Sequence, residues 1–142
     1  MKQLVLIGDS IRMGYQDAVA DRLNGYAEVG YSEDNGGTSV NVLAHLDEWA
    51  IAKQSGIIHI NAGLHDLARE ADGHARVAID VYEQNVRTIL SRLRDETDAI
   101  LIWALTTPVN EQLHRENKSF DRFEDDVVQY NAAARRVADE MG

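Results

Sequence analysis

The chain has 142 residues, 24 acidic against 14 basic side chains, a formal net charge of -10 and no cysteine. Disulfides, thiolate chemistry and Cys-ligated zinc are thereby excluded, and an acidic chain without a Lys/Arg cluster is a poor partner for nucleic acid or an anionic membrane. The length fits one domain spanning 1–142, enough to bury roughly 68% of the surface the unfolded chain exposes.

In chain order, Lys2 to Ile7 reads as a buried strand, cut off at Gly8-Asp9-Ser10 by a helix pattern running from Ile11 to Leu23, with Ile11, Tyr15, Ala18, Val19 and Leu23 apolar. Asn24-Gly25 stops that helix. Ala27 to Tyr31 is a shorter strand, and Ser32 to Ser39 a polar, glycine-bearing loop. Val40 to Gln54 predicts a helix, Ile57 to Ile60 a strand, and Asn61 to Asp66 a polar strand end. After a polar loop over Glu70 to Ala75, a helix runs to about Thr97 with Ile79, Tyr82, Val86, Ile89, Leu90 and Leu93 on one face. Ala99 to Leu105 is the most apolar strand. A charged loop from Asn110 to Ser119 precedes a last helix striped by Phe120, Phe123, Val127, Tyr130, Ala134, Val137 and Met141.

Four strands separated by helices predict an α/β domain: a three-layer αβα sandwich around a flavodoxin-like parallel sheet of order 2-1-3-4 with right-handed crossovers. Every turn that follows a strand then lies on one edge of the sheet, where open α/β sheets bind ligands. Ser10, Gly36-Gly37 and His65-Asp66 are expected to converge there. A serine at a strand-to-helix turn, backed by outward-pointing amides, is placed to be a nucleophile, while Asp9 and Ser10 are equally suited to cap the helix.

The motifs Gly8-Asp9-Ser10, a glycine after the second strand and Gly63-Leu64-His65-Asp66 resemble, in order and spacing, the first three sequence blocks of the SGNH, or GDSL, hydrolases. That resemblance covers nearly the whole chain and implies esterase or deacetylase activity on small carboxylic esters. It implies Ser10 as nucleophile and an oxyanion hole made by the Ser10 amide, the Gly37 amide and a side chain of the third block, with Asp9 and Asp66 in support. The chain departs from the family at two places. His65 stands where that block usually carries asparagine, so an imidazole N–H would replace an amide donor; ordering of its own loop is the other role open to it. No Asp-x-x-His occurs anywhere. The chain is therefore expected to be truncated before a fifth strand and, lacking the family's base, to have weak or no activity of its own.

His114, flanked by Glu111, Glu116 and Asp121, is the histidine best placed to substitute for that base. No cofactor and no metal is expected, since the His and Asp residues lack a fixed ligand spacing. Trp49 and Trp103 read as packing, and Glu124-Asp125-Asp126 as a solvated first turn. A second function class stays open, a non-catalytic domain holding an acylated or carbohydrate ligand in the same cleft. A phosphate-binding flavodoxin-type domain lacks support, there being no G-x-x-x-x-G-K-[ST] loop. With no leader or spanning segment visible, a cytoplasmic location is expected. The apolar strand 99–105 at the sheet edge predicts pairing with a second copy.

Overall fold

The computed structural model describes all residues 1–142. The elements are β1 (Lys2–Ile7), α1 (Ser10–Arg22), β2 (Ala27–Tyr31), α2 (Ser39–Ala44), α3 (Leu46–Trp49), a 3-10 turn (Ile51–Lys53), β3 (Ile57–Ile60), α4 (Ile79–Glu96), β4 (Ile100–Trp103), α5 (Glu111–Asn117) and α6 (Glu124–Met141). The strands form one parallel sheet in the order β2-β1-β3-β4. This is the expected order, and it puts all four strand ends on one edge.

Register decides what each face buries. Val5, Ile58 and Leu101 are paired, as are Ile7, Ile60 and Trp103. These residues pack with Val42, Leu46, Trp49, Ile89 and Leu93 of α2, α3 and α4. A second cluster, Tyr82, Val86 and Leu90 against Val127, Tyr130, Ala134 and Val137, fixes α6 to α4. Of the expected stripes, Tyr82, Val86, Ile89, Leu90 and Leu93 of α4 and Val127, Tyr130, Ala134 and Val137 of α6 are core, while Ile79 is exposed and Phe120 and Phe123 precede α6; each fully buried Leu, Ile or Val contributes about 1.5–3 kcal/mol of transfer free energy. The opposite face is thinner. There α1 lies over β1 and β2, and Ile100 and Ile102, which share that face with Leu6 and His59, remain 57% and 44% exposed.

Several expected boundaries move for local reasons. Only Arg12 of α1 is buried, with Ile11 43% exposed, because this helix covers half the sheet and not all of it. The helix expected over 40–54 is broken at His45, whose N–H divides between the Asn41 and Val42 carbonyls while its ring stacks on Trp49 at 4.5 Å. A helix of about two turns, α5, occupies the charged loop, its N-terminus capped by the Asn110 side chain on the Leu113 N–H. The first turn of α6 is not simply solvated: Asp126 is 8% exposed and takes two hydrogen bonds from Arg69, at 2.7 and 2.9 Å.

Candidate active site

Gly8 ends β1, and Asp9 turns the chain into α1 with extended backbone, its Oδ1 accepting the Ile11 N–H at 2.9 Å. Asp9 is thus the cap, which settles the alternative left open between it and Ser10. Ser10 becomes the first helical residue. Its side chain is exposed and its Oγ makes no hydrogen bond within the protein, while its N–H is one of the orphan donors that every helix start carries.

The loop after β2 is brought against this turn by backbone contact. The Gly36 N–H donates to the Gly8 carbonyl at 2.8 Å, and a Cβ at position 36 would stand 2.7 Å from that oxygen, so only glycine allows the approach. Gly37, with φ of +64°, follows directly, and its N–H donates to Asn35 Oδ1 at 2.9 Å. An oxyanion would have to replace that exposed side chain. Arg12 fixes the same loop from behind. Its guanidinium, 2% exposed, donates to the Ser32 and Asp34 carbonyls at 2.8 and 2.6 Å and to Gln16. Burial lowers its pKa below the ordinary arginine value. An arginine in the first turn of the helix, directly after Ile11 and close to the Gly8-Asp9-Ser10 turn, was the available sign of this role.

The loop after β3 supplies the third segment. Gly63, at φ of +151°, has no room for a Cβ, which would sit 2.5 Å from Thr106 Oγ1. Asp66 is fully buried and accepts from both the N–H and the hydroxyl of Ser39, the first residue of α2, whose hydroxyl in turn accepts from Asn85. Asp66 therefore ties the third loop to the helix that follows the second. His65 projects the other way, its Nε2 3.9 Å from Asp9 Oδ2 and beyond hydrogen-bond range of it. Burial depresses the His65 pKa, Asp9 opposes this, and Arg122 and Arg76 reinforce it. Above the ordinary imidazole pH range the ring is thus neutral, with a single N–H to give.

The three expected segments meet, with Asp9 and Asp66 as the buried carboxylates that hold them. None of the remaining histidines hydrogen-bonds Ser10. Nε2 of His114 accepts from Arg122 Nη1 at 3.2 Å and the ring lies edge-on to Phe120; His59 faces Tyr15 from β3. Beside the turn, Asp9, Tyr15, His59, Asn61, Leu64 and Thr106 line a pocket of ≈ 210 Å³. A larger hollow of ≈ 550 Å³ runs along β2 from Gln3, Glu28 and Lys53 to Ser32 and Asp34, and none of Ser10, Gly37 and His65 lines it.

Solved structures share this arrangement of strands and helices. An acetyl xylan esterase, AlAXEase, superposes with a TM-score of 0.79 at 15% identity, over 97% of this chain and 73% of its own. A lipase/acylhydrolase from Enterococcus faecalis gives 0.76 at 20% identity, over 99% and 72%. A GDSL-like lipase from Bacteroides thetaiotaomicron gives 0.69 at 20% identity, over 98% and 63%. The chain has the SGNH-hydrolase fold. No protein-family model and no curated protein matches the chain by sequence. Within the SGNH fold, Ser10 sits after β1, Gly37 after β2 and His65 after β3, the strand ends that open α/β sheets use for ligands. No helix is long and apolar enough to cross a membrane.

Proposed function

We propose that the chain carries the nucleophile and oxyanion hole of a serine esterase or deacetylase acting on small carboxylic esters. The observation that supports this reading is the convergence at Ser10: an unpartnered hydroxyl at a helix N-terminus, with the Gly36-Gly37 loop bonded to Gly8 and His65 beside Asp9. Ser10 Oγ attacks the ester carbonyl. The oxygen that becomes negative is met by the Ser10 N–H, the Gly37 N–H once Asn35 swings away, and the neutral His65 N–H. The α1 dipole adds a favourable positive potential. No histidine of this chain hydrogen-bonds Ser10, so the Ser10 proton leaves to solvent or an added base, and the expected rate is low.

Hydrolysis of p-nitrophenyl acetate tests this directly. The chain is expected to exceed the buffer rate, and Ser10→Ala to return it to that rate; equal rates in both proteins contradict the proposal. A non-catalytic ligand-binding role on the same cleft is the second reading, favoured by the bare Ser10 hydroxyl and by Asn35 occupying the Gly37 N–H. It requires ligand binding that Ser10→Ala leaves untouched.

The proposal extends to a second copy of this chain. The outer edge of β4 has no strand beside it, and Ile100, Ile102 and Leu105 next to it are exposed. Unpaired strand amides flanked by apolar side chains favour edge-to-edge pairing. Sedimentation is expected to show concentration-dependent dimers that Ile102→Lys abolishes; a monomer at high concentration rules this out.

A further inference from the structure

We propose that the cleft selects esters that carry a carboxylate, read by Arg122 and Arg76 beside His65. This rests on the esterase reading and names the class of substrate. Arg122 is 8% exposed, yet no Asp or Glu oxygen lies within 4.0 Å of it, whereas buried arginines are ordinarily paired. Its Nε donates to the Leu64 carbonyl at 2.8 Å, which fixes it to the residue preceding His65. Nη1 points at His114 Nε2, 3.2 Å away. Nη2 has no partner in the protein and is not sealed from solvent.

A second guanidinium is oriented by the same ring. Arg76 lies 4.2 Å and Arg122 4.9 Å from the centre of Phe120. Glu70 pairs with Arg76 through Nε and leaves both of its Nη nitrogens without a hydrogen-bond partner in the protein, so Arg122 is the one of the two with no acid in contact. Asp9 acts on Arg122 electrostatically without touching it, and Arg76 acts in the opposite sense. A planar fork of donors with one free nitrogen, held on an aromatic face and short of a counter-charge, matches a singly charged carboxylate. The remaining nearby acid, Asp121, is directed to Arg115 at 3.5 Å. In a chain of net charge -10, such a site also sets a sharp local contrast of potential that orients an anionic ester as it enters.

The experiment compares monomethyl succinate with dimethyl succinate, which differ by one charge, binding to the Ser10→Ala chain so that no turnover intervenes. By calorimetry the monoanion is expected to bind about 10- to 100-fold more tightly. Arg122→Gln should erase most of that preference, and Arg76→Gln, a change at an exposed residue, should reduce it several-fold even if Arg122→Gln fails to fold. Equal affinity for the two esters, no detectable binding of the charged one, or a preference that survives both substitutions overturns the inference. Because the readout is binding, inactivity of Ser10 leaves it intact, and its failure leaves hydrolysis of neutral p-nitrophenyl acetate as the separate test of the esterase reading.

Discussion

Replacing His65 with alanine is expected to lower the Ser10-dependent kcat for p-nitrophenyl acetate by about 10²- to 10³-fold, the usual cost of deleting one oxyanion donor. The effect should fall on kcat and leave KM nearly unchanged, because the donor meets a charge that exists only in the transition state. His65→Asn restores an N–H donor at the same place and should recover most of the rate. The direction of the His65 pKa matters here: burial and the two arginines hold the ring neutral, so one N–H is available across the neutral range and the activity should not require acid. Unchanged kcat in His65→Ala would leave His65 only the loop-ordering role that its neighbours Asp66 and Leu64 already perform.

The largest effect on stability is expected at Asp66. Its carboxylate satisfies the buried N–H and hydroxyl of Ser39, and Asp66→Ala strands both, at about 1–3 kcal/mol for each unsatisfied group and so about 2–6 kcal/mol in all. Urea unfolding measures this as a lowered midpoint at unchanged slope. The same residue gives the stability a pH signature. Burial raises its pKa above the ordinary carboxylate value, against the opposing Ser39 hydrogen bonds. The folded chain therefore binds a proton in the window above that ordinary value which the unfolded chain does not. Its contribution is fully present below the unfolded pKa and declines as pH rises through the folded one. Asp66→Asn should remove this component of the pH dependence while costing less than alanine.

The parallel order and the strand-end convergence were legible because apolar runs of four to seven residues alternate with helical periodicity, and such spacing admits one handed crossover. Ser10, the Gly36-Gly37 pair and His65 were legible as short polar breaks at those ends. What the periodicity could not show was long-range polar contact. Arg12 looks like a flaw in an amphipathic helix until Ser32 and Asp34, twenty and twenty-two residues away, supply their carbonyls. Asp126 reads as one of three acids in a first turn, and only the fold brings Arg69 to it. Arg122 carries no signal in a charged stretch; its meaning comes from Leu64, fifty-eight positions earlier. The expected helix at 40–54 failed for a local reason, the His45 ring bonding back to the Asn41 carbonyl and stacking on Trp49.

If three separated segments make Ser10 a nucleophile, a fluorophosphonate should capture it covalently at a position that peptide mass spectrometry locates. The adduct is expected on Ser10, absent from Ser10→Ala and slower to form in His65→Ala. An unmodified Ser10 after prolonged exposure, or an adduct that persists in Ser10→Ala, would contradict it.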